Sequence, residues 1–348
     1  MRKSFRFTLF ALLAALALGI AACGGDDDDS GGSNTSSSSD SGGKSIKTGL
    51  VTDIGGLNDR SFNFLANKGL EDAESQLGTQ GRVFLSKSNG DYIPNLQTSA
   101  QQQNDLTISV GFLMGDATAT VAKKFPNNDF AIVDFSAAAL KGKPTNVEGL
   151  LFKEQEAGYL AGYLAGLWAK DNNADTISSV GGQKIPPVDH YIAGYQKGAK
   201  DANPSIKTLN GYSQDFVDQA KCKEIALNQI AQGSKVVFQV AGQCGLGALD
   251  AAKEKKVQGI GVDADQSYLG PHILTSALKK VDVAVFDAIK SASDGKFKGG
   301  SDVIASVKSG GIGLGKLGPA GQKYADQIKK VQDDIASGKI TDIPDTVK

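Results

Sequence analysis

Short runs of β-branched and aliphatic residues alternate along the chain with stretches in which apolar residues recur every three or four positions. The runs at 47–52, 82–86, 106–112, 130–134, 147–152, 176–181, 235–241, 257–263 and 272–278 read as strands. Between them, Phe62, Ala66, Leu70, Ala73 and Leu77 mark one face of a helix. Leu160, Leu164, Leu167 and Trp168 mark another, on which Gly158, Gly162 and Gly166 permit a close helical neighbour. Strand–helix alternation at this spacing predicts βαβ units and parallel sheets. Ligands of such sheets bind beyond the carboxyl ends of the strands. That rule singles out the loops 52–63, 111–116, 134–137, 181–190, 241–247 and 261–268, which are rich in Gly and Asp. No internal sequence repeat is visible.

The first 22 residues break the alternation. Arg2, Lys3 and Arg6 precede an apolar run from Leu9 to Ala22, the pattern of a secretory signal peptide. A run of roughly 14 apolar residues is short for a hydrocarbon core of about 30 Å. The run ends in Ile20-Ala21-Ala22-Cys23, which resembles a bacterial lipobox, so Cys23 is expected to carry a lipid and to begin the mature chain. Residues 23–45 contain almost only Gly, Ser, Asp, Asn and Thr, too few apolar groups to offset the entropy of ordering, and read as a disordered tether.

Charge narrows the partners. The 348 residues include 37 Lys and Arg against 38 Asp and Glu. Losing Arg2, Lys3 and Arg6 with the leader leaves 34 against 38. Setting aside Lys44 and the tether acids Asp26, Asp27, Asp28, Asp29 and Asp40 leaves 33 against 33. A balanced domain gives no reason to expect nucleic acid as a partner. About 300 residues suffice for two packed lobes.

With Cys23 lipidated, Cys222 and Cys244 remain. An even pair outside the cytoplasm favours a disulfide, the alternative being two buried thiols. Cys222 falls in the first turn or so of the helix after Asp218, and Cys244 just beyond the strand at 235–241. In a βαβ unit both lie at one sheet edge, where the usual Cα separation of ~5.5 Å is attainable. His190 and His272 are the two histidines, and HExxH and CxxC spacings are missing, so no metal or other cofactor is expected. GxSxG and GxxxxGK[ST] are missing too. The GxGxxG of Gly313, Gly315 and Gly318 runs into Pro319 and reads as a glycine-rich strand or turn. Nothing in this inventory suggests an enzyme.

The stretch GLVTDIGGLNDRSFN at 49–63 resembles the opening of the basic membrane protein family of substrate-binding lipoproteins. The resemblance continues through LSKSNGDYIPNL (85–96), GFLMGDA (111–117), FAIVD (130–134) and FKEQEAGYLAGYLAGL (152–167). GGQKIPPV (181–188), GVDADQSYLGP (261–271) and LTSALKKVDVAVFDAI (274–289) complete it. It implies a two-lobed type I periplasmic-binding-protein fold, each lobe a parallel sheet flanked by helices, with three crossing strands at the hinge. The first lobe is expected at 46–151 plus about 280–300, and the second at 152–279 plus about 301–348. The crossings are expected near 151–153, 278–281 and 300–309.

The family's ligand residues map onto Asp53, Phe62, Asn63, Asp134, Phe216, Gly242, Asp263 and Lys279. The resemblance implies a purine held between Phe62 and Phe216, with Asp263 and Lys279 near the ribose. Taken alone, Phe62 also fits a core position, Phe216 a helix staple, and Asp53 and Asp263 helix caps; Asp116 is a weaker candidate than Asp134. The chain departs from the family at Phe64, at Asn67, where a tryptophan is common, at His190 and across 211–218. The function implied is a monomeric, lipid-anchored receptor that passes a nucleoside to the permease and ATPase of an ABC importer at the extracytoplasmic face of the membrane. The alternative is a sensing receptor of the same fold for another small solute, such as a sugar.

Overall fold

A computed structural model describes residues 44–347. The leader, Cys23 and nearly all of the tether lie outside the described residues. The tether reading ran to residue 45, but Lys44 and Ser45 are already held. The Lys44 amide donates to Ser293 O (3.0 Å), and the Ser45 hydroxyl to Gly78 O (2.6 Å).

Two six-stranded sheets form the body. The first contains β1 (Lys47–Thr52), β2 (Gln80–Phe84), β3 (Leu106–Val110), β4 (Asp129–Val133), β5 (Val147–Phe152) and β11 (Asp302–Ala305), in the order β11-β5-β4-β3-β1-β2. The second contains β6 (Thr176–Gly181), β7 (Lys207–Tyr212), β8 (Val236–Val240), β9 (Gln258–Asp263), β10 (Ile273–Lys279) and β12 (Ile312–Leu314), ordered β12-β10-β9-β8-β6-β7. The two orders are the same topology used twice. Pairings are parallel, except that β12 runs antiparallel to β10. Central strands such as β3, β6 and β8 are buried along their whole length, as expected of parallel sheets covered on both faces.

All nine expected strands are present, with ends shifted by up to two residues. β7, β11 and β12 were not expected. β7 (KTLNGY) mixes polar and glycine positions, and the other two span four and three residues, too short for a periodic signal. β11 also corrects the expected return to the second lobe at about 301. The Asp302 carboxylate accepts from Ala137 N (2.7 Å) and Ser136 Oγ (2.6 Å), which seats Asp302–Ala305 on β5 in the first sheet.

Among the described residues, eight α-helices lie between these strands and a ninth follows them: α1 (Phe62–Leu77), α2 (Tyr92–Gln101), α3 (Gly115–Lys124), α4 (Glu154–Asp171), α5 (Pro186–Ala202), α6 (Gln219–Ala231), α7 (Gly242–Glu254), α8 (Val281–Ser293) and, after β12, α9 (Ala325–Ala336). α8 packs on α1 beside the first sheet, and α9 packs on α4 beside the second. The α4 glycines do what their spacing suggested. A Cβ on Gly158 or Gly162 would fall within about 2 Å of the α5 carbonyls of Tyr191 and Tyr195, so the two helices touch backbone to backbone. None of the described helices is long and apolar enough to cross a membrane.

The chain passes between the sheets three times: from β5 into α4, from β10 into α8, and from β11 to β12. These passages are tied together. Lys153 N donates to Ala305 O (2.9 Å), Lys280 N to Gly311 O (2.9 Å), and Val307 N to Glu156 Oε2 (2.7 Å).

Candidate functional site

The carboxyl ends of the strands of both sheets face one cavity. Asp53, Phe62, Asn63, Asp134, Phe216, Gly242, Asp263 and Lys279 all line it. Residues 226 positions apart in sequence therefore meet at one site.

On the first-lobe side, Asp53 follows β1 and accepts from Asn63 Nδ2 at 2.9 Å. Gly111, after β3, has φ +119°, and a Cβ there would come 2.6 Å from the Asp53 carboxylate, so only glycine fits. Burial pushes the Asp53 carboxyl up to about 8; Asn63 opposes this, and Asp59 and Asp134 add to it. Asp53 therefore holds its proton near neutral pH and can donate as well as accept.

Asp59, which sequence reasoning passed over, is buried and accepts from the amides of Ser61, Asn63 and Phe64. It is the cap of α1. Burial raises it to about 6 in spite of those three bonds. Its signal was present in sequence as an acid just ahead of the Ser-Phe-Asn triplet.

A buried ion network joins the lobes behind the cavity. Lys279, at the end of β10 and 2% exposed, has its ammonium 2.6–2.7 Å from both Asp134 oxygens and 2.9 Å from Glu154 Oε1. Glu154 Oε2 lies 3.0 Å from His190 Nδ1 on α5. The ammonium also sits 5.1 Å from the centroid of the Phe62 ring and 4.9 Å from that of Phe152, within cation–π range.

Burial alone would neutralise these groups, but their partners decide the outcome. Burial pushes Lys279 down, yet Asp134, Glu154 and Asp263 together raise it, so it stays charged. Burial pushes Glu154 up, but Lys279 and His190 outweigh it and the carboxyl ends below its ordinary value. His190 is likewise depressed by burial and raised overall by Glu154. Asp134 is lifted by burial to about 7 against the pull of Lys279. Glu154 sits at the first residue of α4 within the quoted FKEQEAGY motif; only its spatial neighbours reveal its role.

On the second-lobe side, Asp263 ends β9. Its Oδ2 accepts from Ser61 Oγ (2.6 Å) and its Oδ1 from Tyr191 OH (3.3 Å). Asp263 does not cap the next helical turn. Burial raises its carboxyl, with Lys279, Ser61 and Tyr191 opposing. Asp134 and Asp263 hold equivalent places after β4 and β9, and both have left-handed φ, 69° and 59°. Aspartate tolerates that conformation better than most residues, at a cost of roughly 1–2 kcal/mol.

Phe216 reaches the cavity from the β7–α6 loop, with its ring against Gly182, where a Cβ would come within 2.3 Å. Its carbonyl accepts from Cys244 N (3.0 Å). Cys222 on α6 and Cys244 on α7 are disulfide-bonded with Cα atoms 5.5 Å apart. Gly242, with φ +54°, opens α7 beside them. Tyr191 and Gln243 also line the cavity and were not anticipated. Asp116 is not among the lining residues.

Known proteins resemble this chain in sequence and in fold. The chain is 37% identical over 318 residues to the ABC transporter nucleoside-binding protein BmpA of Lactococcus lactis, covering 85% of this chain and 88% of that one. It is 36% identical over 305 residues to an uncharacterized lipoprotein of Pyrococcus horikoshii, covering 84% and 74%. Among solved structures, an ABC transporter solute-binding protein of Aeropyrum pernix superposes with a TM-score of 0.78 at 27% identity, covering 86% of this chain and 94% of that one. The family model of PnrA-like ABC transporter substrate-binding proteins matches residues 46–345. With two like sheets, three crossings and a cavity between them, the chain belongs to the PnrA-like family of ABC transporter substrate-binding proteins, receptors that pass a small solute to a membrane permease and its ATPase.

Proposed function

We propose that the solute is a purine nucleoside, bound by a lipid-anchored monomer on the extracytoplasmic side of the membrane. The observation that carries this is the pair of phenylalanines: Phe62 from the first lobe and Phe216 from the second line the same cavity. Two ring faces suit a flat base better than a free sugar, each worth about 1–3 kcal/mol by analogy with base stacking elsewhere. Phe62 is also polarised by the Lys279 ammonium near its ring. Around the rings, Asp53 and Asn63 offer a donor and acceptors to a base edge, and Asp263 offers a carboxylate to hydroxyl groups. The Lys279 ammonium has three hydrogens and two carboxylate partners, which leaves one for the ligand.

The nucleoside-binding relative from Lactococcus lactis and the archaeal lipoprotein support the ligand and the anchor respectively. A lipid on Cys23 would tie the domain to the membrane surface. Binding would favour the closed form through contacts from both lobes.

Calorimetric titration with adenosine, guanosine, inosine, ribose and xylose tests the ligand. A dissociation constant of about 1 μM or tighter, near −8 kcal/mol, is expected for at least one purine nucleoside. Binding of ribose or xylose without binding of any nucleoside would overturn the assignment. Mass spectrometry of the mature chain tests the anchor through a diacylglyceryl mass increment on Cys23.

A further inference from the structure

Ser61 occupies the N-cap position of α1, where a serine hydroxyl ordinarily accepts from the second or third helical amide. Its backbone, at φ −150° and ψ −115°, makes no such bond. The amides of Ser61, Asn63 and Phe64 donate instead to Asp59, at 3.1, 2.7 and 3.0 Å. With the cap supplied from two residues upstream, the serine hydroxyl is released. It donates to Asp263 Oδ2 at 2.6 Å, 202 residues away on the other lobe. Arg60 adopts a left-handed φ of 52°, and its guanidinium lies 5.7 Å from the ring centroid of Tyr268, also on the other lobe.

We propose that Asp59, Arg60 and Ser61 form a clasp across the cleft, in which the Ser61–Asp263 bond and the Arg60–Tyr268 contact hold the lobes closed and orient the Asp263 carboxylate toward the solute. Ser61 is fully buried and Asp263 nearly so, which makes this a charge-assisted bond in a dry setting, the stronger kind. Opening about the three crossings breaks it, because its two ends belong to different lobes. Tyr191 holds the other Asp263 oxygen from within the second lobe. Each oxygen accepts one protein hydrogen bond and keeps further lone-pair capacity for solute hydroxyls. Closure and recognition thereby share one carboxylate. Capping by Asp59 is what makes this possible, since a serine that capped its own helix would have no hydroxyl to send across.

The nucleoside reading supplies the ligand probe, whereas the clasp itself requires only that the lobes part. Two measurements separate them. In Ser61→Ala, guanosine should dissociate about ten-fold faster by stopped flow, with unliganded melting temperature little changed. Spin labels at exposed Ser75 and Glu224, one on each lobe, should show a distance distribution moved to longer values in the unliganded variant. In an Asp263→Ala background, Ser61→Ala should shift the distribution less than it does in the wild type, since only the longer Ser61 Oγ–Val262 O bond (3.3 Å) is left to lose. Tyr268→Ala, which removes an exposed ring, should shift it less and in the same direction.

Wild-type dissociation together with an unchanged distribution in Ser61→Ala would overturn the clasp. Should no purine nucleoside bind the wild-type protein, the nucleoside reading fails and the distance distributions still decide. Should Ser61→Ala not fold, unchanged distributions in both Tyr268→Ala and Asp263→Ala would overturn it.

Discussion

The two lobes run the same strand order, yet they hold their ligand loops by different means. In the first, the loops after β1 and β3 are fixed by polar contacts and backbone geometry. Asp59 gathers three amides, Asn63 holds Asp53, and Gly111 lets the chain pass within van der Waals reach of that carboxylate. In the second, the first turns of α6 and α7, which follow the loops after β7 and β8, are joined by the Cys222–Cys244 disulfide, and the Phe216 carbonyl accepts from the Cys244 amide. The equivalent aspartates diverge as well. Asp134 faces the Lys279 ammonium, whereas Asp263 takes hydroxyl groups from Ser61 and Tyr191. One topology has been given two chemistries at matching positions, so the solute is read by loops grafted on a repeated frame rather than by the frame.

Removing the cation shared by both lobes should have the largest effect. Lys279→Met would leave the buried Asp134 and Glu154 without their partner, at a cost of about 3–5 kcal/mol in folding stability. Urea unfolding at pH 7 measures it, and a loss below about 1 kcal/mol would mean that the network is not holding the lobes. Next comes the covalent device peculiar to the second lobe. Replacing both Cys222 and Cys244 by Ala should cost about 3 kcal/mol, the loop-closure value for a bridge spanning 22 residues. Ligand affinity should fall with it, because Phe216 loses the anchored amide beneath it. Unaltered affinity would show that the loop is held without the bridge.

The two phenylalanines sharpen the contrast further. Phe216→Ala and Phe62→Ala should each weaken nucleoside binding by about 1–3 kcal/mol. Both rings pack against the main core, but Phe62→Ala should also lower the unliganded melting temperature more, since Phe62 opens α1 and sits beside the buried Lys279 ammonium. Equal melting temperatures would place both rings on the same footing.

A further test concerns pH. Asp53 titrates near 8 when folded and near 3.8 when unfolded, so the folded state binds more protons between those values and stability falls as pH rises through that window. Asp53→Asn removes the penalty. Its melting temperature relative to wild type should be a few degrees higher at pH 8.5 and nearly equal at pH 4. A constant difference across that range would contradict a protonated Asp53.

Much of this was legible in the chain. Nine strands announced themselves because a parallel sheet covered on both faces favours short runs rich in β-branched and aliphatic residues, of which β8 (VVFQV) is the clearest. The glycines of α4 announced a close neighbour by spacing alone, and it proved to be α5. The family resemblance located eight of the residues that line the cavity, six of them within the loops that the strand-end rule singles out; Phe216 and Lys279 lie outside those loops. The pairing of Cys222 with Cys244 followed from the same geometry of a strand and the helix before it.

Other features depend on neighbours that sequence does not reveal. β11 is four residues of edge strand whose place is set by Asp302 gripping the turn after β4, a contact across 165 positions. Glu154 reads as an ordinary first-turn acid until Lys279 and His190 are found on either side of it. Ser61 reads as a cap until Asp59 takes that task and Asp263 arrives from the other lobe. Periodicity, composition and turn chemistry are local, so the sequence by itself determined most of the elements and the alternation that builds the frame. Desolvation and charge pairing arise only when distant segments share a dry cavity, so the tertiary structure alone decided which acids keep their protons, which cation serves them, and what closes the cleft.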